Sequence, residues 1–241
     1  MNIIYIFPHP DDESFGPAGA IHQQIKQGHD VFLLTLTKGG ATKVRHKLGL
    51  NVSQMGLVRE KEMHKVKDVL GLKEMIILDY EDGGLAKLNP IELEKEVKKW
   101  LLKFQPDIVV TYPVHGGSGH HDHIALHHAI NRLFYDKTAE LSTWKRLAFF
   151  TVIDTGKPMF LEGGIPRVTQ TQAEDVQVTV DLNPEDIDMM KAALLCYETY
   201  QEMVQTTNVI ARIGKHVHFE LAGEHHGRKL SSLDQFIETL A

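Results

Sequence analysis

Asn2–Phe7 (NIIYIF) is an unbroken apolar run, too short for a helix and bounded by Pro8, and it predicts a strand buried on both faces. Runs of this kind then alternate with segments of helical period. A helix is expected over residues 18–27, closed by Gly28 as glycine commonly closes helices. Asp30–Thr37 (DVFLLTLT) predicts a second buried strand. Residues 41–54 are polar and basic without a clear period and read as a surface loop, and a helix over 55–70 stops at Gly71. Residues 74–78 predict a third strand, Asp82-Gly83-Gly84 a tight turn, and Asn89-Pro90 an N-cap with a first-turn proline. Leu93, Val97, Trp100, Leu101 and Phe104 form one apolar stripe at helical spacing. A fourth strand over 106–112 opens into a histidine-rich loop and a helix to Tyr135.

Later strands are expected over 146–153 and 176–180, separated by a loop rich in Gly, Pro and Thr. Asn183-Pro184 repeats the cap chemistry and starts a helix to Met203, and the stretch from about residue 207 resists assignment. Strand and helix alternate through the first 135 residues, which implies βαβ units in a doubly wound, mostly parallel α/β sheet with helices on both faces. The 241 residues suit one domain, 1–241, with no repeat or linker. In such sheets ligands bind beyond the carboxyl ends of the strands.

Composition narrows the partners. A net charge of −6 argues against nucleic acid or an anionic membrane surface, while leaving room for an anionic small molecule held by a local arginine. No apolar stretch approaches the roughly 18 residues of a membrane span, and the N-terminus reads as a strand rather than a signal peptide. The single cysteine, Cys196, excludes an internal disulfide and fits a reducing compartment, so a cytoplasmic protein is expected. Nothing in the pattern argues against a homo-oligomer. Of 15 histidines, His115, His120, His121, His123, His127 and His128 fall in one short window, and imidazole is a common ligand for zinc.

Two segments carry the candidate chemistry. Pro8-His9-Pro10-Asp11-Asp12-Glu13 follows the first strand, and Gly119-His120-His121-Asp122-His123 follows the fourth. His9 and Asp12 can converge on one ion, and His123 would complete a three-ligand set with an open position, the arrangement of catalytic zinc sites. Taken alone, His9-Pro10-Asp11-Asp12 also fits a helix N-cap with acidic first-turn residues. Spacing does not separate an aspartate ligand from an aspartate base. His127 and His128, His216 and His218, and His225 and His226 read as solvated or core histidines. Gly16-Pro17-Ala18-Gly19 is not a dinucleotide fingerprint, and the acidic motif beside it would repel pyrophosphate. Tyr197 and Tyr200 read as core packing.

Both motifs, in this order, resemble the LmbE/PIG-L family of zinc-dependent N-acetylglucosaminide deacetylases; the resemblance is anchored in the first 130 residues, and the family's usual second motif has proline where this chain has His121. It implies a Rossmann-like fold, zinc held by His9, Asp12 and His123, Asp11 as general base, and His120 as the group that stabilises the oxyanion. It also implies that Asp122 orients an imidazole, that of His120, and favours its protonated form. His121 adds a rival ligand. Ferrous iron suits the same donors. Arg59, three residues before Glu62, resembles an arginine that holds substrate, with an ordinary intrahelical Arg59–Glu62 pair as the alternative. Asp82 resembles a sugar-binding aspartate or serves its turn. The similarity around 37–42 and the second motif points to the bacillithiol branch and to N-acetylglucosaminyl malate as the small-molecule partner. An S-conjugate of a sugar thiol, a chitin-type oligosaccharide, and a non-catalytic metal-binding role stand as the alternatives.

Overall fold

Burial of period two along the first strand divides the molecule into two cores. In the computed structural model, Ile3, Tyr5 and Phe7 join one and Ile4 and Ile6 the other, all without solvent exposure. The structure describes residues 1–239 except 137, 155, 157, 158, 162–164, 210, 212 and 213. In chain order the elements are β1 (Asn2–Phe7), α1 (Ala18–Lys26), β2 (Asp30–Thr37), α2 (Val44–Lys47), α3 (Val52–Leu70), β3 (Glu74–Tyr80), α4 (Pro90–Phe104) and β4 (Ile108–Thr111). There follow α5 (Gly116–Gly119), α6 (His121–Tyr135), β5 (Arg146–Thr151), β6 (Met159–Leu161), β7 (Ile165–Val168), β8 (Val178–Asp181), α7 (Pro184–Cys196), α8 (Gln201–Thr207) and β9 (His216–Leu221).

Seven strands form one sheet in the order β3-β2-β1-β4-β5-β9-β8. The first five are parallel, and β9 runs antiparallel to both β5 and β8. The expected α/β sheet with helices on both faces is therefore present. On one face Ala20, Ile21, Met63, Val66, Leu70, Ala193 and Leu194 bring α1, α3 and α7 against Ile3, Tyr5 and Phe7. On the other, Leu93, Val97, Leu101, Leu126 and Ile130 bring α4 and α6 against Ile4 and Ile6. Strand order reverses at β1, which lies between β2 and β4, so their carboxyl ends border a crevice.

Several boundaries differ from the sequence reading, each for a local reason. Residues 41–54 are not all loop: α2 lies within them, and α3 begins at Val52 because Asn51 and Gln54 form a reciprocal capping box. The helix expected to reach Met203 ends at Cys196; Tyr197 leaves helical geometry, a 3₁₀ turn covers Glu198–Tyr200, and α8 follows. The Gly-, Pro- and Thr-rich stretch contains β6 and β7, paired antiparallel, with part of it outside the described residues. The unassigned C-terminal stretch supplies β9, where Val217, Phe219 and Leu221 alternate inward.

Candidate metal centre and active site

Both motifs meet at the carboxyl ends of β1 and β4. Asn2–Phe7 delivers His9, Asp11 and Asp12 in the turn that follows it, and the second motif occupies the first turn of α6 rather than a loop, with His120 as its N-cap. His9 Nδ1 lies 3.1 Å from His123 Nε2 and 3.7 Å from Asp12 Oδ2, and His123 Nε2 lies 3.6 Å from Asp12 Oδ1. Zinc bonds of about 2.0–2.1 Å in a tetrahedron separate neighbouring donors by roughly 3.3 Å, so these spacings fit one small cation. His123 directs Nδ1 at the Gly116 carbonyl, 2.9 Å away, which leaves Nε2 facing His9 and Asp12. Gly116 has φ +65, and a Cβ there would lie 2.8 Å from the His123 Cβ, so the close approach requires glycine. His9, His120 and His123 also present nitrogen atoms within 4.8 Å of one another, and His9, Asp82 and Asp122 form a second such group.

The carboxylate of Asp122 does not meet His120. It accepts from the Gly83 and Leu85 amides at 2.8 and 2.9 Å and sits 3.1 Å from His9 Nε2, so it orients the His9 ring and leaves Nδ1 facing His123 and Asp12. Burial alone would raise the Asp122 pKa, but the His9 and Gly83 hydrogen bonds hold it below its ordinary value. Burial opposes charge on His9, yet Asp122, Asp12 and Asp82 outweigh it and raise the pKa. His120 shifts the other way, lowered first by burial and then by His9. Its Nδ1 accepts from the Asp122 amide at 3.2 Å, so the neutral ring carries its proton on Nε2. The expected pairing of the Asp122 carboxylate with His120 is thus absent, and burial and His9 both oppose charge on the His120 ring. Burial takes His123 down to about 4, which favours its neutral ring.

Asp11 has φ +83, a left-handed conformation uncommon outside glycine. Such a residue costs on the order of 1–3 kcal/mol and persists only where its surroundings over-determine it. Here they do. Its amide donates to Tyr197 Oη at 2.8 Å, and its carbonyl accepts from the Ser14 and Phe15 amides at 2.8 and 2.9 Å. Arg59 Nη2 donates to Asp11 Oδ2 at 2.5 Å and to the Pro10 carbonyl at 2.9 Å. Burial pushes the Asp11 carboxyl up to about 6 although Arg59 pulls against it. The Arg59 side chain is 2% exposed and packs 4.1 Å from the Tyr200 ring, so it faces Asp11 rather than open space. Nor does it pair with Glu62, which accepts from the Thr199 amide and hydroxyl. Asp82 sits on the rim, with Oδ2 on the Ala41 amide at 2.7 Å and Oδ1 3.3 Å from His9.

The remaining histidines separate clearly. His121 and His128 point to solvent, which removes His121 as a rival ligand. His127 is buried, with Nδ1 at 2.9 Å from the Tyr112 carbonyl and its ring on Phe149, a core histidine as expected. Among the described residues three site contributors escaped the sequence reading. Tyr112 donates to Asp12 Oδ1 at 2.8 Å, Tyr197 touches Asp11, and buried Glu13 accepts from Tyr197. Tyr112 closes the expected fourth strand and Glu13 ends the first motif, and that adjacency was the available signal.

Residues 4–134 match the family described as PIG-L, GlcNAc-PI de-N-acetylase. The chain belongs to the PIG-L family. A probable N-acetyl-alpha-D-glucosaminyl L-malate deacetylase 2 of Bacillus anthracis is 28% identical over 153 residues, covering 63% of this chain and 65% of that protein. The mycothiol S-conjugate amidase of Streptomyces coelicolor is 25% identical over 186 residues, covering 68% of this chain and 61% of that protein. This PIG-L chain therefore spans less than two thirds of the length of these relatives. A crystal structure of a deacetylase from teicoplanin biosynthesis shares the fold, with a TM-score of 0.68 at 17% identity over 92% of this chain and 97% of that one.

Proposed function

We propose that this PIG-L protein is a metal-dependent N-deacetylase acting on an N-acetylglucosamine conjugate, with N-acetylglucosaminyl malate as substrate. The observation that carries the reading is the meeting of His9, Asp12 and His123, with donor atoms 3.1 to 3.7 Å apart, beside a half-buried, clamped Asp11. His9, Asp12 and His123 would hold zinc, or ferrous iron, which accepts the same donors. A cation bound there supplies Lewis-acid chemistry, acidifying water and polarising a carbonyl. Asp11 accepts the proton of the attacking water as the C–O bond forms. It returns that proton to the amide nitrogen as the C–N bond breaks, so acetate and a free amine leave. His120 donates from Nε2 to the oxygen on which negative charge develops. Asp122 fixes His9, Arg59 fixes Asp11, and Asp82 on the rim accepts from a sugar hydroxyl.

Two observations support an anionic aglycone. One is the similarity to the malate-conjugate deacetylase. The other is charge: from Lys38 to Arg59 the chain carries Lys38, Lys43, Arg45, Lys47 and Arg59 and no acidic residue, in a protein of net charge −6. Lys38 pairs with Glu60 and Lys47 with Glu202, whereas Lys43 and Arg45 meet no carboxylate among the described residues. The base of this lip is tied to the site, since the Ala41 amide bonds to Asp82 and Tyr200 donates to Thr42 Oγ1 at 2.8 Å. The free, buried Cys196 fits the reducing cytoplasm.

Similarity to the S-conjugate amidase makes a sugar-thiol S-conjugate the second substrate to weigh. Amine release from N-acetylglucosaminyl malate, such an S-conjugate and diacetylchitobiose, assayed side by side, separates these readings. The malate conjugate should have the highest kcat/KM. Glu at both Lys43 and Arg45 should raise its KM about tenfold, equivalent to about 1.4 kcal/mol, while leaving the neutral disaccharide unaffected. Preference for a neutral substrate would remove the anionic aglycone, and metal bound without amine release from any of the three would favour a binding protein.

A further inference from the structure

We propose that Tyr197, oriented by Glu13, is a positioning residue for the base Asp11, an inference that rests on the deacetylase reading. Tyr197 lies 186 residues beyond Asp11, yet its hydroxyl accepts the Asp11 amide at 2.8 Å. That contact occupies a lone pair, so the single hydroxyl proton must go elsewhere. It goes to Glu13 Oε1 at 2.7 Å, an oxygen that also accepts from Ser14 Oγ at 2.6 Å. Glu13 therefore decides which way the hydroxyl faces. Both residues have no solvent exposure.

Neither group is required for filling the core. The Tyr197 ring belongs to the core beside α1 and α3, and a phenylalanine ring would fill the same volume. Glu13 is a poor structural choice, because Oε2 is buried without a partner among the described residues, a costly arrangement that calls for a reason. The reason lies at Asp11. Its backbone is held at φ +83 by bonds at its amide and its carbonyl, and Tyr197 supplies the only one at the amide among the described residues. Arg59 holds the carboxylate itself. Without the Tyr197 hydroxyl the Asp11 N–H is left unpaired, and the turn relaxes away from its left-handed conformation. A displacement of about 1 Å at a reacting group can cost on the order of a hundredfold in rate.

Tyr197→Phe tests this in the metal-loaded, full-length protein. Its kcat should fall about 10- to 100-fold, with KM within about twofold and metal content unchanged, a split that general loosening of the fold does not give. Glu13→Ala should fall similarly, and Glu13→Gln, which keeps an acceptor oxygen, should recover most of that loss. The double variant Glu13→Ala/Tyr197→Phe should be no slower than the slower single one, because both remove the same chain of contacts. Hydrogen exchange at the Asp11 amide should accelerate in Tyr197→Phe without any substrate present. Wild-type kcat in Tyr197→Phe, losses that multiply in the double variant, or unchanged exchange at Asp11 would overturn the proposal. A wild-type protein that releases no amine while exchange still accelerates in the variant would sink the deacetylase reading and leave the clamp standing.

Discussion

At the scale of single residues, the two aspartates of one motif turn to different surroundings, which is the basis for proposing different roles for them. Asp12 turns to His9, His123 and the Tyr112 hydroxyl, while Asp11 turns to Arg59 and Tyr197. Asp11→Asn keeps the shape and removes the base; kcat should fall about 10²- to 10⁴-fold with metal content per chain unchanged by elemental analysis. A different residue reports on stability. Burial first, then the neighbouring His128 and His115, hold the His127 pKa below its ordinary value. The unfolded chain protonates His127 near 6.5 and the folded one resists, so the stability of the neutral form is lost as pH falls below about 6.5. The urea midpoint should therefore drop between pH 7 and 5.5, and less steeply in His127→Asn, which keeps an N–H for the Tyr112 carbonyl. The convergence of His9, Asp12 and His123 was legible because His9 and Asp12 are near neighbours and both motifs follow strands of one parallel sheet. Tyr112 and Tyr197 were not, because their partners lie 100 and 184 to 186 residues away and no local pattern marks a hydroxyl contact.

At the scale of elements, the apolar runs that became β1 and β2 and the stripe that became α4 were plain in the sequence, because burial on two faces or one leaves a direct mark. Residues 41–54 misled because the short basic surface helix α2 has no apolar stripe, although Asn51 and Gln54 carried the cap signal at the start of α3. Strand β9 was missed because a half-buried strand of six residues gains its identity from pairing with β5 and β8. The connection after β2 offers a test. Gly39 has φ +62, and a Cβ there would lie 2.8 Å from Pro10 Cδ and 3.1 Å from Arg59 Nε. A proline ring cannot swing aside, so Gly39→Ala should destabilise the fold by about 1–3 kcal/mol. Thermal unfolding should report this, together with reduced turnover as the Pro10–Asp11 turn is displaced.

At the scale of the whole molecule, the reversal of strand order at β1 brings two motifs more than a hundred residues apart to one crevice. That placement was readable from the alternation of strands and helices, whereas the clamp from Tyr197 and Tyr200 depended on where α7 breaks. A site that binds cations only when folded must also stabilise the fold, by an amount set by the ratio of free metal to its Kd. Chelation should lower Tm, and added zinc should restore it; in the His123→Ala variant both responses should be largely lost. The most direct test of the central claim is the stoichiometry of products from N-acetylglucosaminyl malate incubated with metal-loaded and chelated protein. The expected result is one acetate and one free amine per substrate consumed, lost on chelation and restored by metal. Undiminished release from protein shown to be metal-free, or none from protein holding one metal per chain, would contradict it.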